Sequence, residues 1–158
     1  LGTAEAAAML PRAERRIREF EGLVLFTRDT HGADYLNTRE GKALPVPHCI
    51  KGTAGWQLAA PLLPHAAEVI DKPTFGSTAL GERLRALNEH TPIESITLIG
   101  LCTDICVISN ALLLRAYLSE VPIYVDAACC AGVTPESHRT ALRAMQSCQI
   151  IVENAPEE

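Results

Sequence analysis

A chain of 158 residues is long enough for one domain with a substantial core, and its 47% hydrophobic and 21% charged residues describe a soluble globular protein. The formal net charge of -5 gives no basic field for nucleic acid and leaves a small neutral or organic ligand as the natural partner. The longest apolar runs, such as Ala111 to Leu114, fall far short of a membrane span, and the N-terminus lacks the basic-then-apolar order of a signal peptide, so neither membrane insertion nor export is expected.

In chain order, Thr3 to Phe20 reads as a helix, with Thr3 as its cap and Ala8, Met9, Ile17 and Phe20 apolar among Arg and Glu. Leu23 to Thr27 reads as a short buried strand. From Asp29 to Pro47 the periodicity disappears and Gly, Pro, Asn and Asp accumulate, the pattern of a long loop; loops of this length inside compact domains are often functional. Strands then follow at Glu68 to Asp71, Ser95 to Leu101, Ile123 to Asp126 and Gln149 to Glu153, separated by helices at Leu80 to Leu87, Asp104 to Leu118 and Pro135 to Ser147. Thr134-Pro135-Glu136 starts the last helix with a cap, a proline at its first position and an acidic first turn. Alternating strands and helices with continuously apolar strands predict a single α/β domain over residues 1–158, built on a doubly wound parallel sheet. Such folds usually open on a strand, whereas this chain opens on a helix.

The six cysteines sit in a chain apolar enough to need no staples, and Cys129 and Cys130 are adjacent, so all are expected to be reduced thiols in a cytoplasmic protein. In a parallel sheet ligands collect beyond the carboxyl ends of the strands, and Cys102 and Cys106 fall just after the Ser95 to Leu101 strand. Cys106 lies in the first turn of the next helix, where free N–H groups and the positive end of the dipole favour a thiolate and could hold an oxyanion. Cys102, at the strand end, has packing as its default role. A redox pair is a further reading, although C-x-x-x-C is not the usual C-x-x-C spacing.

The residues here carry a resemblance. "GLCTDICV" (Gly100 to Val107) is similar to the nucleophile segment of the isochorismatase-like cysteine hydrolases, the family that includes the nicotinamidases, and its second cysteine matches their catalytic one. "FTRDTH" resembles the family's D-x-H metal segment, "PHCIKGTAGW" its H-C-x-x-G-T-x-G segment, and "IDKPTFGST" its strand-end lysine, in the family's order over nearly the whole chain. The resemblance implies a Rossmann-like fold, Cys106 as nucleophile with Lys72 as its neighbour, and Cys102 acting through its backbone N–H in the oxyanion hole after a cis peptide. It also implies Asp29, His31 and His48 as ligands of a divalent metal, most naturally zinc, with Glu40 as a weaker fourth candidate. Taken singly, His31 and His48 would pass for ordinary loop histidines, and Lys72 for a snorkelling surface residue.

Trp56 and Phe75 are candidates for the pocket wall, with core packing as the alternative for both. His65, His90 and His138 read as surface or capping residues. The aspartate that completes the family's triad ends a first, central strand, and no matching segment occurs here. The sequence opens on what resembles the stretch after that strand, so the strand is expected upstream or as a separate piece. The activity implied is hydrolysis of a small amide through a thioester, with nicotinamide to nicotinate and ammonia as the first choice. Alternatives are another amide, ureido or carbamoyl compound, or an inactive metal-binding or interaction protein. Relatives commonly form homo-oligomers, and the apolar content permits one.

Overall fold

A computed structural model of the chain describes residues 2–155, which divide into two compact units: Gly22–Thr74, and Gly2–Glu21 together with residues 75–155.

In the first unit, strand β1 (Phe26–Asp29) pairs in parallel with β2 (Val69–Lys72). β1 starts three residues later than the apolar run suggested and ends on two charged residues. The register explains this: Arg28 lies opposite Asp71 and Asp29 opposite Lys72, so each charge entering the strand meets its complement across the ladder. The segment read as a structureless loop contains a 3₁₀ turn at Tyr35–Asn37 and a short helix, α2 (Arg39–Ala43). Thr38 starts α2 by accepting a hydrogen bond from the Gly41 N–H at 3.0 Å. Gly41 has to be glycine, because a Cβ there would sit 2.0 Å from the Tyr35 carbonyl oxygen.

The second unit carries a parallel sheet in the order β3 (Ile96–Leu101), β4 (Ile123–Ala131) and β5 (Ile151–Glu153). Its helices are α1 (Ala4–Arg18), α3 (Thr78–His90), α4 (Ile108–Tyr117) and α5 (Pro135–Ser147). Thr3 caps α1 and Thr134 caps α5, the latter in a reciprocal box with Ser137. α1 packs on β4 and β3, whereas α5 packs on β4 and β5 and against α4. Nearly every residue of β4 is buried, which marks a strand covered on both faces. Along one of those faces Cys129 and Ala131 meet Met9 and Ala13 of α1. Small side chains at these positions let the helix lie close to the strand, and the strand runs on to Ala131 although its second half lacks β-branched residues. All strand pairings among the described residues are parallel, as the sequence pattern required. No helix among them is long and apolar enough to cross a membrane.

Candidate active site

The parallel ladder of the first unit brings the carboxyl ends of β1 and β2 side by side, and those ends are Asp29 and Lys72. Lys72 is only 3% exposed, and its ammonium pairs with Asp29 Oδ1 and donates to the Thr74 carbonyl at 3.2 Å. A buried cation without a counter-charge would cost several kcal/mol, so the ion pair is what allows this lysine to stay charged inside the unit. One rung earlier, Arg28 bonds Asp71 through Nε at 2.9 Å and Nη2 at 2.8 Å. Its guanidinium stands 3.5 Å from the ring centre of Trp56, whose Nε1 donates to Thr30 Oγ1 at 2.9 Å. Trp56, expected as a pocket wall, is thus engaged by the Arg28 side chain.

Beyond β1 the chain closes on itself. His31 donates its N–H to the Cys49 carbonyl and accepts from the Lys51 N–H, both at 2.9 Å, forming a parallel bridge with Ile50. This sets His31 beside the segment carrying His48, and α2 brings Glu40 to both. Glu40 Oε1 lies 3.5 Å from His31 Nε2 and 3.7 Å from His48 Nε2, and the three donor atoms fall within 4.8 Å of one another. Two observations suit this trio to a metal ion. His31 Nε2 is buried yet has no hydrogen-bond partner, an arrangement that is costly unless something else meets the nitrogen. His48 Nδ1 lies 2.8 Å from the Val46 carbonyl, which holds the proton on Nδ1 and leaves the Nε2 lone pair toward Glu40. Two imidazoles and a carboxylate are donors that zinc and similar divalent ions accept. The structure therefore gathers His31, His48 and Glu40, while the carboxylate of Asp29 lies on Lys72.

Tyr35 braces the two imidazoles from behind. Its ring centre is 4.8 Å from that of His31 and 5.0 Å from that of His48, and its hydroxyl donates to the Leu44 carbonyl at 3.0 Å. Burial, and then Glu40 and Cys49, push its phenol above the usual range. Burial also raises the Cys49 thiol, with Asp29 adding to it.

In the second unit, β3 ends through Gly100, whose φ of 119° is one that side-chain-bearing residues rarely adopt. The Leu101–Cys102 peptide that follows is cis. Cys102 then caps a π-helical turn, Thr103–Val107, that leads straight into α4, and its carbonyl accepts the N–H groups of Ile105 at 3.1 Å and Val107 at 3.0 Å. Cys106 is half-buried in this turn, at the carboxyl end of a parallel strand and at the positive end of a helix. Single π turns are frequent at functional sites.

The turn is tied down on two sides. The Asn110 amide donates to the Cys106 carbonyl at 2.8 Å and to the Phe75 carbonyl at 3.1 Å, and its oxygen accepts from the Ser77 N–H at 2.9 Å. On the other side Thr103 Oγ1 lies 2.7 Å from His138 Nδ1, and Asp104 Oδ1 accepts from the Val133 N–H at 3.0 Å. Phe75, the other expected pocket residue, is 43% exposed. All six cysteines are thiols rather than disulfides. Burial pushes Cys129 to about 11 and Cys130 to about 12, which leaves both protonated and inert at neutral pH.

The Isochorismatase domain family matches residues 1–156. The chain belongs to the isochorismatase family. Among solved structures, the pyrazinamidase of Pyrococcus horikoshii, in complex with zinc, superimposes with a TM-score of 0.81 at 25% identity, covering 98% of this chain and 89% of that one. A nicotinamidase/pyrazinamidase from Bacillus subtilis gives a TM-score of 0.73 at 28% identity, over 95% of this chain and 84% of that one. PnC1 from L. infantum, in complex with nicotinate, gives 0.83 at 18% identity over 97% and 82%, a likeness of fold. No curated protein matches the sequence.

Several residues of this isochorismatase-family hydrolase escaped the sequence reading. Asn110 stands four positions after Cys106, a spacing that puts both on one helix face and could have drawn attention to it. Thr38-Arg39-Glu40-Gly41 carries the capping signal of α2, which would have moved Glu40 from a loop to a fixed position. Tyr35 and Thr103 gave no local signal. His138, read as a surface or capping residue, is instead buried against Thr103, a partner distant in sequence.

Proposed function

We propose that this hydrolase cleaves a small amide to a carboxylic acid and ammonia through a thioester on Cys106. The observation that carries the reading is the placement of the Cys106 thiol, in a π-helical turn at the carboxyl end of β3 and at the start of a helix. Backbone N–H groups and the helix dipole favour a thiolate there, and a thiolate is the nucleophile that amide cleavage needs. The motif resemblance gives Lys72 the role of the cation that favours the thiolate, and gives the Cys102 N–H, alongside that of Cys106, the role of donor to the oxyanion. The thiolate adds to the carbonyl carbon, the C–N bond breaks, and the nitrogen departs as ammonia with the proton that the thiol gave up. Water then adds to the thioester and releases the acid, restoring the thiol.

His31, His48 and Glu40 would hold the divalent ion, with zinc as the first choice because the Pyrococcus horikoshii pyrazinamidase binds it. Bound there, such an ion supplies Lewis-acid chemistry that orients a donor atom of the substrate. Nicotinamide is the first substrate to test, supported by the names of the structural neighbours. Against it stands "ALPVP" before His48, a segment without an aromatic ring to stack on a pyridine. An aliphatic amide, ureido or carbamoyl compound is therefore the comparison. The test is ammonia release from nicotinamide, pyrazinamide and a set of aliphatic amides, by wild type and Cys106→Ala in zinc-containing buffer. Release lost in the mutant supports the thiol mechanism. Equal release by both would refute it.

A further inference from the structure

We propose that His138 is a positioning residue for the Cys106 thiol, acting through the hydroxyl of Thr103; this rests on Cys106 being the nucleophile. Thr103 opens the π-helical turn that holds Cys106 and is fully buried, with 0% exposure. Its Oγ1 lies 2.7 Å from Nδ1 of His138, which stands in the second turn of α5 and is 9% exposed. A buried hydroxyl facing a buried imidazole nitrogen is a costly pair to keep when two apolar side chains could fill the same volume. What the polar pair adds is direction, since a hydrogen bond fixes distance and angle where an apolar contact would let the turn slide.

The surroundings are built to hold His138 itself. A Cβ on Gly132 would lie 2.9 Å from the N, Cα and Cβ of His138, so the chain leaving β4 presses directly on the histidine backbone. The reciprocal cap between Thr134 and Ser137 fixes the first turn of α5. Asp104, the next residue of the π-helical turn, accepts from the Val133 N–H at 3.0 Å, so two successive residues of the nucleophile turn are pinned to two points around the start of α5. Burial lowers the pKa of His138, with Asp104 opposing the shift and Arg139 adding to it, and this favours a neutral imidazole for the bond to Thr103. A displacement of about 1 Å at a reacting atom can cost on the order of a hundredfold in rate, so a bond that removes one freedom of the turn is worth a readily measured factor.

The experiment uses the full chain with zinc and compares wild type, Thr103→Val, His138→Ala, His138→Asn and the double variant Thr103→Val/His138→Ala. Three quantities are read: the rate of Cys106 alkylation by iodoacetamide, mapped by peptide mass; kcat and KM on the best amide; and Tm. Thr103→Val keeps shape and removes only the hydroxyl, and His138→Asn keeps a hydrogen-bonding group near the Nδ1 position. The expectation is that Thr103→Val and His138→Ala each slow alkylation and lower kcat about tenfold with KM nearly unchanged, that the double variant falls no further, and that His138→Asn recovers most of the loss. A folded Thr103→Val protein that is alkylated and turns over at the wild-type rate overturns the proposal, even if His138→Ala fails to fold. Should Cys106→Ala keep full activity, the nucleophile assignment itself is wrong, an outcome separate from any behaviour of Thr103 or His138.

Discussion

Removing the Asn110 side chain strips three hydrogen bonds from the interior at once. Asn110→Ala leaves the Ser77 N–H and the carbonyls of Phe75 and Cys106 without their side-chain partner. The buried Ser77 N–H loses its acceptor at a cost on the order of 1–3 kcal/mol, and the two part-buried carbonyls add less, so the loss is about 2–4 kcal/mol. That is a large fraction of the roughly 5–15 kcal/mol that holds a domain folded. At about 2–4 °C per kcal/mol for a chain of this size, Tm should fall by roughly 4–16 °C. Urea unfolding followed by circular dichroism, together with thermal melts, measures both quantities. Asn110→Asp is the control: it keeps the volume and the acceptor for Ser77, but sets an oxygen against the Phe75 and Cys106 carbonyls. Hydrogen bonding as the cause predicts a loss as large as for alanine, whereas a simple cavity would leave Asp nearly neutral. A loss below about 1 kcal/mol in both variants refutes the reasoning.

Asp29→Asn leaves the buried Lys72 ammonium without its carboxylate and should cost about 3–5 kcal/mol by urea unfolding, much of it recovered when Lys72→Met is added; independent, additive losses would contradict the pairing. His48→Ala and Glu40→Gln should each weaken zinc binding at least about tenfold in competition with a chromophoric chelator, and chelation should lower the wild-type Tm; unchanged affinity would remove these residues as ligands. Cys129 and Cys130 hold their protons to about 11 and about 12 in the fold but to 9.0 when unfolded, so their contribution to stability is intact below pH 9.0 and drains away as pH rises toward about 12. Cys130→Ala should flatten that alkaline decline, and a slope identical to wild type would show that the thiol does not titrate this way.

The parts of the fold that were legible in the sequence are those written in local chemistry. α5 occupies the interval that Thr134, Pro135 and the apolar spacing marked, and α1 starts where Thr3 said it would. β1 was misplaced because the apolar run Leu23 to Phe26 is the visible signal, whereas the strand is set by its pairing with Val69–Lys72, where charges complement one another. β4 was cut short at Asp126 because Ala127 to Ala131 has no β-branched residue, and its strand character comes from the pairing of Cys130 and Ala131 with β3 and from contact with α1. The resemblance also drew attention to His31, His48 and Glu40, and the fold does bring these three together. The bonds from Asn110, Thr103 and His138 were not, because they join segments that only the folded chain brings together.

The clasp between His31 and Ile50 has a bearing on how such a protein can change. The histidines sit at the two ends of a long excursion whose neck is closed by the main chain, so backbone pairing there, with Tyr35 packed on both rings, sets their spacing. Doubling the length of a flexible loop costs only about 0.6 kcal/mol in closure entropy. Residues could be inserted or exchanged between α2 and His48, remodelling the surface of that excursion, while the imidazoles keep their places. Recombination or loop grafting there is a route to a changed surface that leaves the placing of the two imidazoles inherited rather than rebuilt.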